Sequence, residues 1–297
     1  MQKKGQSEPT VMLPVLDTAQ ASYRFLIDHP REAARVGWLP LIVLYALNLI
    51  FGTFEPMPDF SDPQAAMSRI APLLGNTVVN VLIQSAVAAI TLVVWHRLVM
   101  QDYDVGDRPV PMRISANEIK YLGRWLLISL LFIAILFAAD IAIVMAALVV
   151  MLTIQLVSIM VMGGAGLALG DQAEQLTVIG QVGMAPAVIA AIYLTTRLSL
   201  VLPATATGKE ARFERAWYMS RGNGGRMVLA SLIVMAPLQF IIWGLMKVTG
   251  YMADTMYYYP LALVASAVFL LFILVTGTVL SLFSLGLDRE PAAEETP

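Results

Sequence analysis

Residues 260–285, PLALVASAVFLLFILVTGTVLSLFSL, decide the fold. No side chain between Asp254 and Asp288 carries a formal charge, and a helix of this length reaches ~39 Å, more than the ~30 Å of hydrocarbon in a bilayer. Lipid offers backbone N–H and C=O groups no partner, so a stretch of this kind must be helical. Residues 38–54, 77–99 and 227–246 read the same way. Pro40, Pro237 and Gly277 fall inside these runs, where membrane helices tolerate them better than soluble helices do.

The rest of the chain agrees with a membrane solvent. Of 297 residues, 58% are hydrophobic and only 13% are charged, and the mean hydropathy is +0.73. Too few polar side chains remain to cover a soluble globule of this size. The net charge of -2 gives no reason to expect a nucleic-acid partner. The lack of cysteine excludes disulfides, thiolate metal sites and thiol catalysis. Near the N-terminus the apolar stretch 11–16 is short and broken by Pro14, so no signal peptide is expected, and Lys3 and Lys4 stay with the mature protein.

Positive charge orients the spans. Lys3, Lys4, Arg24, Arg31 and Arg35 precede the first; Arg97, Arg108, Arg113, Lys120 and Arg124 follow the second; Lys209, Arg212, Arg215, Arg221 and Arg226 precede residues 227–246. The intervening loops are acidic: Glu55, Asp59 and Asp62 stand against Arg69, and Asp254 against Lys247. The positive-inside rule puts the basic segments and both termini in the cytoplasm. The expected location is the bacterial inner membrane.

The three basic regions share a design, with an aromatic and basic amphipathic stretch directly before a membrane helix: DTAQASYRFLIDHPREAARVGWLPLIVL (17–44), ISANEIKYLGRWLLISLL (114–131) and GKEARFERAWYMSRGNGGRMVLASLI (208–233). In the first, Asp17 and Gln20 fit a capping box and Pro30 suits a helix start. In the third, Phe213, Ala216, Trp217 and Ser220 share a face flanked by Arg212, Arg215 and Arg221, and Gly222 and Gly224 stop the helix. Arg212, Arg215, Trp217 and Arg221 are therefore candidate contacts for lipid headgroups. Ordinary anchoring and topology setting would use the same residues.

The order of elements, the segment RLSLVLPATATG (197–208) and the following ERAWYMSRGNGGR (214–226) resemble bacterial six-span membrane proteins related to the membrane domain of glycerophosphoryl diester phosphodiesterases. The likeness runs from about Tyr23 onward and is mostly topological. It implies a helical membrane module. It does not imply phosphodiesterase activity, which in that family belongs to a separate soluble barrel with clustered carboxylates and histidines.

Between Arg124 and Asp171 only Asp140 is charged, and a stretch so long cannot cross once as a straight helix. Residues 121–140 and 182–203 supply the third and fourth spans, leaving an extra apolar segment at 141–170. Counting that segment as a crossing gives seven spans and moves Arg212, Arg215 and Arg221 outside, against the charge asymmetry. The expected fold is therefore an all-α membrane protein with six main spans in three hairpins, each preceded by a basic amphipathic segment. The segment 141–170 is re-entrant or bent, with Gly163, Gly164 and Gly166 as the place for a bend or close approach. A tail (1–16), one polytopic domain (17–286) and an acidic tail (287–297) complete the chain.

Candidate chemistry is sparse. Asp140 falls ~28 Å from the inner end of the third span, near the outer interface, which suits a boundary carboxylate better than a buried ion site. Arg197 is placed to snorkel towards cytoplasmic headgroups. Asn48, Asn80, Gln84, Gln155 and Gln239 include several amides that could face one interior surface. His29 and His96 lie at helix ends without a second ligand, so no metal, cofactor or small-molecule substrate is expected. Ser129, Ser158, Ser199 and Ser231 lack a neighbouring base, and Tyr251, Tyr257, Tyr258 and Tyr259 read as an aromatic belt.

Three functions follow as alternatives. The first is a non-enzymatic scaffold, sensor or assembly module whose partners are membrane lipids and other membrane proteins or a second copy of itself. The second is a transporter or channel subunit using Asn80, Gln84, Gln155 and Arg197. The third, lipid chemistry within the membrane, lacks a convergent set of acid, base or metal ligands.

Overall fold

The computed structural model describes residues 12–51, 63–101, 116–162, 169–209, 211–252 and 255–288. Among these residues there are nine helices and no strand: α1 (Val15–Asp28), α2 (Pro30–Phe51), α3 (Pro63–Gln101), α4 (Ala116–Met162), α5 (Leu169–Leu198), α6 (Val201–Ala206), α7 (Phe213–Met219), α8 (Gly224–Tyr251) and α9 (Tyr258–Leu287). Six stretches are long and apolar enough to cross a membrane: Pro30–Phe51, Val79–Gln101, Ala116–Val150, Met184–Ala206, Gly224–Tyr251 and Tyr258–Leu287. The described residues thus make an all-α membrane protein with six helices long and apolar enough to span.

The amphipathic leads take three different forms. The first is a separate helix, α1, which starts at Val15 after Pro14 in extended conformation, with no side-chain cap. The expected capping box is not formed, because Asp17 lies inside the first turn. Proline lacks an N–H and has a preset φ, so Pro14 can start the helix three residues before an Asp17 cap would, without a side-chain cap. Pro30 opens α2 as anticipated. The second lead is not separate: Ala116 to Arg124 form the first turns of α4. The third is α7, closed by a turn in which Gly222 has φ of 81°. That left-handed conformation favours glycine. Gly224, expected as part of the stop, is instead the first residue of α8.

Two compact units are formed, residues 1–126 with 197–297, and residues 127–196. Helix α9 is the hub of the first, packing against α1, α2, α3, α6 and α8. Close approach explains its position. A Cβ on Gly277 would lie 2.4 Å from Leu92 Cδ2, one on Gly37 2.8 Å from Leu270 Cδ2, and one on Gly286 2.9 Å from Leu13 Cδ2. Small residues of this kind let membrane helices gain packing contacts that no hydrophobic effect would drive in lipid. Leu44, Leu92, Trp95, Met227, Leu274 and Phe283 fill the interior. Of the anticipated aromatic belt, Tyr251, Tyr257 and Tyr259 are exposed, but Tyr258 turns inward against Ala262 and Ala265.

The second unit holds the remainder of α4 and most of α5. Residues 141–162 continue α4 without starting a new element, consistent with the absence of Gly and Pro between Gly123 and Gly163. Gly163, Gly164 and Gly166 lie outside the described residues. Phe137, Met145, Val149 and Leu152 are exposed on α4. Pro186 sits within α5, and Thr195 donates to the Ala191 carbonyl at 2.7 Å.

Candidate functional site

Polar groups inside the first unit form two layers, one near each end of α9. Near its start, Gln84 Nε2 on α3 donates to Asn80 Oδ1 at 3.0 Å and to Asn48 Oδ1 on α2 at 3.2 Å. Asn48 Nδ2 donates to Ser266 Oγ on α9 at 2.9 Å, and Ser266 donates to the Ala262 carbonyl at 2.8 Å. Asn48, Asn80 and Ser266 are buried. An amide side chain left unpaired in hydrocarbon is costly, so this chain of bonds joins three helices. The described cavities lie elsewhere. Asn48, Asn80 and Gln84 thus lie together as contacts between helices, the ordinary role of amides in membrane spans. Gln239 does not join it: it is exposed on α8 and lines an apolar groove with Phe240, Trp243 and Phe272. The Gln155 side chain lies outside the described residues, and Asp140 is exposed on α4.

The second layer gathers the basic segments at the end of α9. Arg97 pairs with Glu118 at 2.8 Å and donates through Nε to the Ala206 carbonyl at 2.7 Å. Arg124 donates to Thr205 Oγ1 and, at 2.6 Å, to the Ala211 carbonyl. The Leu13 N–H donates to Asn223 Oδ1 at 3.1 Å, and Arg226 donates to the Leu13 carbonyl at 3.2 Å. All three leads therefore meet at one end of this unit. Arg124 and Thr205, which bracket the second unit in the chain, thus lie side by side at this end of the first.

His96 sits within this layer, fully buried, with Nδ1 2.6 Å from Ser281 Oγ and Nε2 3.0 Å from Tyr121 OH. Next to it, Trp95 Nε1 donates to Thr278 Oγ1 at 2.9 Å. The His96 ring joins α3, α4 and α9, with both nitrogens satisfied. Sequence reasoning placed it at an interface and missed its partners. A signal was present: Ser266, Gly277, Ser281 and Ser284 recur at near-helical spacing on α9 and mark the face where other helices approach.

Arg197 does not snorkel. It is 6% exposed, donates through Nε to Ser220 Oγ at 2.8 Å and through NH2 to the Trp217 carbonyl at 2.7 Å, and holds its guanidinium 3.5 Å from the centre of the Trp217 ring. A planar, weakly hydrated cation suits this desolvated stacked position. Trp217, expected to face headgroups, has one ring face covered by Arg197 and remains 42% exposed. Arg221 is exposed in the turn after α7.

The remaining candidates, Arg212 and Arg215, line a small cavity of about 30 Å³ together with Lys209, Ser284 and Asp288. Lys209 Nζ lies 2.7 Å from Asp288 Oδ2, and Arg215 NH2 lies 3.0 Å from Asp288 Oδ1. The hydrogen bond from Lys209 and the positive charge of Lys209 and Arg215 hold the Asp288 carboxyl below its ordinary value, against a smaller opposing effect of burial. Gly208, with φ of 75°, turns the chain from α6 towards Lys209. The sequence marked Lys209 only as a topology-setting charge and Asp288 only as the end of an apolar run; their pairing was hidden because both α8 and α9 lie between them.

No protein-family model, curated protein or solved structure matches the chain.

Proposed function

We propose that the chain is a non-enzymatic scaffold, sensor or assembly module of the bacterial inner membrane, with its basic leads and termini on the cytoplasmic side. The observation that supports this reading is the hydrogen-bond network of Asn48, Asn80, Gln84 and Ser266, which ties three helices to one another. A transporter would align such amides along a water-filled path. Here they hold α2, α3 and α9 together, and Arg197 is engaged by Trp217 and Ser220 instead of completing a path with them. His96, the one fully buried histidine among the described residues, has both ring nitrogens engaged.

What remains available to other molecules is the outside. Leu229, Phe240 and Trp243 on α8 and Phe137, Val144 and Leu152 on α4 are exposed to lipid or to neighbouring membrane proteins. Exposed basic side chains of α1 and α7 face the cytoplasmic headgroup region. The partners are membrane lipids together with other envelope proteins or a second copy of the chain.

Two measurements on one preparation test this. Proteoliposomes containing the chain should hold imposed ion and small-solute gradients as tightly as empty vesicles. A photo-crosslinker replacing Trp243 should give discrete adducts with a membrane protein in cells. Solute flux that is abolished by Gln84→Ala would replace the module with a transporter.

A further inference from the structure

Gln239 faces out of the bundle near the middle of α8, roughly 22 Å from Gly224 and 18 Å from Tyr251 at 1.5 Å per residue. It is exposed and has no hydrogen-bond partner among the described residues. Its neighbours in the groove, Leu232, Met235, Phe240, Trp243 and Phe272, are apolar. An amide left unpaired in hydrocarbon is costly. From this depth a glutamine side chain is too short to reach either interface, and acyl chains carry neither donor nor acceptor, so lipid cannot satisfy it.

The amide lies on a seam. Leu229, Leu232, Ala236, Gln239, Trp243 and Met246 follow one another at alternating steps of three and four residues, and all are exposed. That spacing is the one by which two membrane helices pack side by side with a left-handed crossing, and a polar residue at one position of such a seam fixes its register and partner. Ala236, one turn before Gln239, lets two backbones come close. Every copy of the chain inserts the same way round, so two copies side by side are related by a twofold axis along the membrane normal, and Gln239 of each sits at the same depth. A primary amide carries both donors and an acceptor. Across that axis each Gln239 can donate to the oxygen of the other. A different protein would have to present a matching amide at this depth; a second copy does so by symmetry.

We infer that the chain dimerises through α8, a second copy packing along this seam with the two Gln239 amides bonded to each other at its centre. This rests on the module reading and deepens it by naming the partner of the outer surface. Solute flux tests that reading and crosslinking between copies tests this one, so each can fail alone.

The chain has no cysteine, so a disulfide between single-cysteine variants reports one copy against another. Leu232→Cys and Ala236→Cys, in the full chain in bacterial membranes oxidised with copper phenanthroline, should each give a dimer on a non-reducing gel. Ile241→Cys, exposed at a similar depth on another side of α8, measures random collision and should give little. In the Ala236→Cys chain, Gln239→Leu should lower the dimer yield by about threefold to tenfold, the scale of hydrogen bonds between membrane helices. Gln239 makes no hydrogen bond within the described bundle, so this variant is expected to fold, and an unchanged melting temperature checks it. No dimer from either seam variant, as much dimer from Ile241→Cys, an unchanged yield with Gln239→Leu, or photo-adducts at Trp243 to a different protein alone would overturn the assignment.

Discussion

The guanidinium of Arg197 lies 3.5 Å from the centre of the Trp217 ring and donates to the carbonyl of that same residue at 2.7 Å. One side chain at the end of a span thus grips both the ring and the backbone of the third lead. Arg197→Ala should lower stability by roughly 2–3 kcal/mol, as expected for a desolvated cation–π contact with charged hydrogen bonds. Arg197→Lys should recover little of it, because an ammonium cannot both lie flat on the ring and reach Ser220 and the Trp217 carbonyl. Thermal unfolding in detergent provides the comparison, and full recovery by lysine would show that charge alone matters.

The amide network predicts a measurable coupling. Gln84→Ala and Asn48→Ala should each cost about 0.5–1.5 kcal/mol, the range found for side-chain hydrogen bonds between membrane helices. The double variant should cost less than the sum of the two, because they share the Gln84–Asn48 bond. Additive effects in a double-mutant cycle would mean that this bond contributes nothing.

Gly277 and Gly123 form a contrasting pair. Gly277→Ala places a methyl 2.4 Å from Leu92 Cδ2 and 3.1 Å from Trp95 Cδ1, whereas nothing lies within 4 Å of a Cβ on Gly123. The first should destabilise by about 1–3 kcal/mol through overpacking, with partial relief from Leu92→Ala. The second should be neutral or stabilising, since alanine is the better helix former. Equal melting temperatures for the two variants would contradict the close approach of α3 and α9.

The Asp288 contact has a defined pH dependence. A carboxyl held below its ordinary value by Lys209 and Arg215 contributes stability that is present above the unfolded value near 3.8 and lost as pH falls through the lower folded value. Its partners are mostly exposed, so the contribution is at most about 1 kcal/mol and falls with salt. The difference in stability between the native chain and Asp288→Asn should therefore be constant from pH 5 to 8 and shrink only below about pH 4. A difference that disappears near neutrality would place the control elsewhere.

Orientation is checked with the cysteine-free background. Tyr257→Cys at the α8–α9 turn should react with an impermeant maleimide in intact spheroplasts. Arg221→Cys, exposed at the other end, should react only after permeabilisation. The reverse pattern would invert the topology derived from basic residues.

The six spans and the common side of the three leads were legible because hydropathy and charge act on each segment separately. Pairing is a different kind of information. Arg197 and Trp217 are brought together by the turn at Gly208, between them in the chain, which a span-by-span reading does not follow. The sharing of a surface by Asn48, Asn80 and Gln84 was readable from amides in apolar runs, but the exclusion of Gln239 depends on which face α8 turns to the bundle. His96 looked peripheral because it ends a span, and only the small-residue face of α9 brings Ser281 close enough to engage it. The capping box at Asp17 failed for a local reason, since Pro14 starts the helix first.

The central place of α9 sets an order of events during synthesis. The spans before it enter the membrane with Gly37 facing no Leu270, Asn48 without Ser266, and Trp95 and His96 without Thr278 and Ser281. Until residues 258–287 emerge, those helices are inserted yet unpaired on the faces that later become the interior. Closure of the described bundle is therefore timed by a helix made after the eight it follows, and chaperones or proteases that sense exposed polar groups in lipid have a window in which to act.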